Sequence, residues 1–189
     1  MGEMSSPVET DVPISNNAEI LHLWFEVCRP WQWFRQSDGF DAEINRRFGH
    51  LTELALAGGL ESWECDAASG LALVLLLDQF SRQIWRGSAK AFSGQARAER
   101  LSVQAVKDGW VINEPVRAKR QFWLMPLLHS EHINTVVEAI PLLEIHVDRA
   151  TANIARRNQK LLHQFGRYPK RNAALGRTST AEEREFLNR

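Results

Sequence analysis

The sequence predicts an all-α protein, a stack of about eight antiparallel helices joined by short links. Three observations carry this. Apolar residues recur at three- and four-residue spacing along most of the chain. No segment alternates convincingly with period two. Caps, prolines and glycines fall between the periodic stretches.

In chain order, residues 1–17 are polar and acidic, with Pro7 and Pro13, and are expected to form a flexible tail ahead of a single domain over 18–189. They lack the apolar core of an export signal. Asn17 can cap a first helix carrying Ile20, Leu21, Trp24 and Phe25, which Pro30 stops. Trp31, Trp33 and Phe34 follow, and with Trp24 they are expected to be core. Ser37 or Asp38 caps a second helix whose Phe40, Ile44, Phe48, Leu51 and Leu54 share a face; Gly58 and Gly59 end it. A third runs over 69–86 and is apolar nearly all round at its start, hence central. A fourth covers 92–107. A fifth, over 114–123, is expected to break around Pro126. A sixth spans 130–143, with Pro141 a kink or break. A seventh carries Ile154, Leu161, Leu162 and Phe165 and ends at Gly166. The run Thr180-Ala-Glu-Glu183 is a capping box for the last.

Composition narrows the function. Lys plus Arg is 23 and Asp plus Glu is 23, which argues against a dedicated nucleic-acid coat. Two cysteines, Cys28 and Cys65, exclude a disulfide framework and an all-cysteine zinc site, so a reducing, cytoplasmic setting is the default. The longest apolar run, seven residues over 71–77, cannot cross a bilayer. Seven tryptophans leave room for a self-association face, so a homo-oligomer stays open. Charge is uneven: residues 149–189 hold ten Lys or Arg and three Asp or Glu, against thirteen and twenty in the remainder. That asymmetry fits either a dock between the halves of one fold or a site for an anion.

Three clusters break the apolar patterns. In the first, Asp78, Arg82 and Arg86 are spaced four apart and form one helical stripe beside Gln79 and Gln83. It reads as a structural ion-pair network or as an anion site, since Arg offers paired donors to carboxylate or phosphate. In the second, Met125-Pro-Leu-Leu-His-Ser-Glu-His132, His129 and His132 are too few for a metal without further ligands, and no metal is expected. Ser130 or His129 reads as a cap, while His129 and Glu131 are candidates for acid–base work, as is Asp78. The third is the loop from Phe165 to Thr180, where Arg167, Lys170, Arg171 and Arg177 crowd between Gly166, Pro169 and Gly176. It reads as a phosphate cradle or as a basic clamp on the acidic body, but it is not a Walker loop, and no cofactor is implied. Asn158 sits oddly on an apolar stripe and needs partners, either the Asp78 and Arg82 row or the His129 turn.

Together these motifs resemble a known family. Trp33-Phe34, Leu77-Asp-Gln-Phe-Ser-Arg82 with Arg86-Gly87, Met125-Pro-Leu-Leu-His-Ser-Glu131, and Phe165-Gly-Arg-Tyr-Pro-Lys-Arg-Asn172 with Leu175-Gly-Arg177 are similar, in order, to the domain-of-unknown-function 924 family over about 18–187. The resemblance implies a tetratricopeptide-like superhelical stack and no established activity. Gln95 stands where the family usually has an aspartate, Asn158 where it has a histidine, and Lys170 where a second histidine is common. Pro141 interrupts a helix that is usually continuous. If the family's histidines are catalytic, these exchanges count against catalysis by this member.

The sequence names no reaction. Its leading reading is a helical binding scaffold in which Asp78, Arg82, Arg86, His129, Ser130, Asn158, Arg167, Arg171, Asn172 and Arg177 line one groove for an anionic small molecule or an acidic peptide. The alternative is a small enzyme acting on a phosphorylated or carboxylated metabolite through His129 or Glu131. An RNA-binding module built on the basic C-terminal segment ranks third, because few aromatics interleave its charges.

Overall fold

The computed structural model describes residues 15–189, and every regular element among them is a helix. α1 (Ser15–His22) runs on into a π-helical turn, Leu23–Val27. The expected tail over 1–17 falls mostly outside the described residues. Asn17 lies within α1 rather than capping it, and its side-chain amide donates to Ser69 Oγ at 2.7 Å. The aromatic expectation holds in part. Trp24 is fully buried among Trp33, Phe40, Phe80 and Phe122, and Trp33 Nε1 donates to the Trp24 carbonyl at 2.8 Å. Trp31 and Phe34, each 60% exposed, lie on turns where no helical period assigns a face.

α2 (Asp38–Leu56) starts at Ser37, whose hydroxyl accepts from Phe40 N, and buries Ile44, Phe48, Leu51 and Ala55. Gly58 follows at φ +95°, a conformation that a Cβ would strain. α3 (Ala67–Val74) is capped by Asp66 and begins two residues before the expected start at 69. It continues through a π-helical turn, Leu75–Phe80, into α4 (Ser81–Ile84). This rod is central, as expected: Leu71, Leu73, Leu75, Leu76 and Leu77 are buried, each contributing roughly 1.5–3 kcal/mol.

α5 (Gln95–Lys107) begins against that rod. A Cβ on Gly94 would lie 2.5 Å from the Leu77 carbonyl, so glycine permits the approach. A one-turn α6 (Trp110–Asn113) was not anticipated. α7 (Arg117–His129) passes through Pro126, correcting the expected break there. α8 (Ile133–His146) continues through Pro141, so of the expected kink or break at Pro141 the break does not occur. Proline in a helix interior costs ~3 kcal/mol. Residues 122–128 of α7 are all buried, and keeping them so outweighs one lost hydrogen bond. α8 is flanked by α7 and by α9 (Arg149–Phe165). Asp148 caps α9, and Gly166 ends it at φ +69°. Ile154, expected on its apolar stripe, is 41% exposed. After a 3-10 turn, Pro169–Arg171, comes α10 (Ala181–Leu187), started by the expected capping box. One hydrophobic cluster extends from Ile20 to Tyr168. No helix among the described residues is long and apolar enough to cross a membrane.

Candidate functional site at the end of α7

The last four carbonyls of a helix have no partner within it. In α7 they draw the site together. Gln95 Nε2 donates to the Pro126 carbonyl at 3.0 Å, and Ser130 N to that of Leu127 at 3.3 Å. Asn158 Nδ2 donates to the Leu128 carbonyl at 3.0 Å, joined by the Tyr168 hydroxyl at 3.4 Å. The Arg171 guanidinium donates to the His129 carbonyl at 2.8 Å. Thus α5, α9 and the loop after α9 converge on one helix end. Asn158 has the second of its two expected partners, the His129 turn.

Asp78, in the π-helical turn, faces that end. Its side chain has no exposed surface. It accepts from Gln79 Nε2 at 2.7 Å and from Arg82 Nε and Nη2 at 3.3 and 3.0 Å. It also meets Nδ1 of His129 at 2.8 and 2.9 Å. Burial pushes the carboxyl pKa up, but His129 and Arg82 outweigh burial and hold it well below the ordinary carboxylate range. Burial also lowers the His129 pKa; Asp78 opposes this, while Arg82 and Arg171 add to it. An ionised carboxylate only accepts, so the neutral imidazole carries its proton on Nδ1 and leaves Nε2 unprotonated.

Two guanidinium groups share the adjacent Phe92 ring. Arg82 and Arg171 each lie 5.0 Å from its centroid, and Arg171 also lies 4.6 Å from the Tyr168 ring. Arg82 further donates to Gln95 Oε1. Arg171 is half-buried, and among the described residues no carboxylate stands within salt-bridge distance of it. Burial, followed by repulsion from Arg82, lowers its pKa to about 10. Burial pushes Tyr168 up to about 12.

The other candidates lie elsewhere or are occupied. α4 ends at Ile84 and Trp85 leaves helical geometry, so Arg86 departs from the Asp78 stripe and pairs with Asp41 at 2.7 Å. Arg167 is held by Glu183 at 2.7 and 2.9 Å, and Asn172 Nδ2 donates to the same carboxylate at 3.1 Å. Arg177 is held by Glu131 at 2.8 and 3.0 Å. Glu131 also accepts from Tyr168 N at 2.7 Å. Burial raises its pKa, yet Arg177 and that N–H bring it below its ordinary value, which suits a structural anchor rather than an acid–base group. Ser130 is buried and accepts from His132 N at 3.0 Å, closing a turn rather than capping α8. Lys170 is exposed. His132 lies beyond the end of α7 and cannot share a helical face with His129. Among the described residues no three His, Cys, Asp or Glu side chains gather as metal ligands.

Sequence reasoning missed Phe92 and Tyr168 as parts of this corner. Phe92 reaches Arg82 and Arg171 only through tertiary folding, and no local spacing signals it. Gln95 was marked only by its departure from the family pattern.

The fold defines an all-helical protein with a polar corner where a central π-helical turn meets the end of α7. The model of the bacterial proteins of unknown function DUF924 matches residues 20–189, and the chain belongs to that family. It is similar to the solved structure of a protein of unknown function from Agrobacterium tumefaciens, with 31% identity and a TM-score of 0.84 over 90% of this chain and 96% of that one. No curated protein matches it.

Proposed function

We propose that the protein binds a small anionic molecule, bearing a phosphate or a carboxylate, between Arg171, Arg82 and His129. One observation carries this reading: Arg171 is a half-buried guanidinium beside a second one, and among the described residues no carboxylate comes within salt-bridge distance of it, Glu131 and Asp78 acting on it only from farther away. A desolvated cation without a counter-charge is costly, and an anion relieves that cost. The broader expectation, a tetratricopeptide-like groove for an acidic peptide, loses support because Arg86, Arg167 and Arg177 are already paired internally. A basic RNA-binding face on the C-terminal segment loses Arg167 to Glu183, Arg177 to Glu131 and Arg156 to Glu144. Isothermal titration with inorganic phosphate, sulfate and citrate tests the reading. Binding that weakens at least about tenfold in R171Q and is unchanged in R86Q is expected, since a charge-assisted contact contributes roughly 1.5–3 kcal/mol. Equal binding by R171Q rejects the site.

A further inference from the structure

Resting on that anion-binding reading, we infer that His129 is the acid–base group of a catalytic centre, taking a proton through Nε2 from the anion held by Arg171, with Asp78 as its positioning residue. The ring geometry carries this. Nδ1 is committed to both oxygens of Asp78, so Nε2, across the ring, is turned away from the carboxylate. Among the described residues Nε2 has no hydrogen-bond partner, and the side chain keeps 19% exposure while Asp78 has none. Asp78 does not need the imidazole for its own satisfaction, because Gln79 and the Nε and Nη2 of Arg82 already donate to it. The dependence runs the other way: the carboxylate fixes which nitrogen of His129 is free and where the ring stands.

The charges around the ring suit a base. Burial, with Arg82 and Arg171 adding to it against Asp78, lowers the His129 pKa and favours the neutral ring that a base requires. Asp78 then stabilises the imidazolium once it forms. In the step itself an O–H bond, or a C–H bond beside a carbonyl, breaks in the bound molecule and an Nε2–H bond forms. The electron pair remains on the substrate, where the Arg171 guanidinium offsets the added negative charge. The substrate class is therefore a small phosphate ester or carboxylate that carries such a proton near its anionic group. Glu131, the rival acid–base candidate, is held by Arg177 and the Tyr168 N–H.

The test measures modification of each histidine by diethyl pyrocarbonate, which attacks an unprotonated ring nitrogen, followed by mass spectrometry with and without inorganic phosphate. His129 is expected to react at neutral pH and to be slowed at least about tenfold by saturating phosphate, while exposed His22 and His163 are unaffected. D78N, which keeps the side-chain size, is expected to move the pH midpoint of His129 modification, a change that loss of packing alone would not produce. If phosphate binds but leaves His129 unshielded or unreactive, the inference is overturned and the binding reading stands. If phosphate does not bind the wild-type protein, both fall. The wild-type measurement alone is decisive should D78N fail to fold.

Discussion

The guanidinium of Arg177 and the carboxylate of Glu131 meet through two hydrogen bonds, at 2.8 and 3.0 Å, and fasten the turn after α7 to the loop after α9. The pair is mostly screened from solvent, at 23% and 26% side-chain exposure. R177Q leaves Glu131 short of its partner and is expected to cost about 1–3 kcal/mol in urea denaturation. R171Q orphans no carboxylate and is expected to cost less than about 1 kcal/mol. The order should reverse for phosphate affinity, which R171Q weakens more.

Asp78 is the buried hub of the corner. D78A removes one charge and leaves Arg82 and His129 facing an uncompensated interior, so a loss of roughly 3–5 kcal/mol is expected. D78N retains part of the hydrogen bonding and should lose less. Denaturant midpoints at neutral pH separate the two.

Acid should weaken the C-terminal lock. Arg167, and then the Thr180 N–H, hold Glu183 at about 2, from an ordinary value of 4.5. The unfolded chain regains the ordinary value. Through the window from 4.5 down to about 2 the unfolded state binds a proton that the folded state does not, so stability present above 4.5 falls as pH drops. Asp78, shifted in the same direction, extends the loss to lower pH. E183Q should flatten the slope of stability between about pH 5 and pH 2.5.

Trp24 and Trp31 are seven positions apart in the chain and opposite in burial, at 0% and 60% exposure. W24A is expected to cost about 3–5 kcal/mol. W31A should stay within about 0.5 kcal/mol. Thermal melts of the two variants check this contrast.

Gly94 allows the α5 start to lie against the Leu77 carbonyl, where a Cβ would approach to 2.5 Å. The Leu77 carbonyl is helix backbone and cannot swing aside as a flexible side chain could, so G94A is expected to destabilise by about 1–3 kcal/mol. Because Gln95 follows directly and touches Arg82 and the Pro126 carbonyl, phosphate affinity should also drop.

Local rules found most of the helices because their causes are local. Ser37 caps α2, Gly58 and Gly166 end helices, and Thr180 with Glu183 closes a capping box, all within about four residues of the element concerned. The π-helical turn at Leu75–Phe80 left no such trace, since one extra residue per turn barely alters an apolar run. Pro126 misled for a related reason: the rule it obeys is local, while the burial that overrode it comes from the elements packed around α7.

The sequence by itself determined an all-helical chain, its central leucine-rich rod and the residue types able to hold an anion. The tertiary structure alone decided which of those residues remain available. Asp78 and His129 are 51 positions apart, Arg171 and the His129 carbonyl 42, and Arg177 and Glu131 46. Whether a charge is matched depends on which distant side chain arrives within hydrogen-bond reach. Periodicity and capping act over a turn or two of helix and carry no information about that arrival.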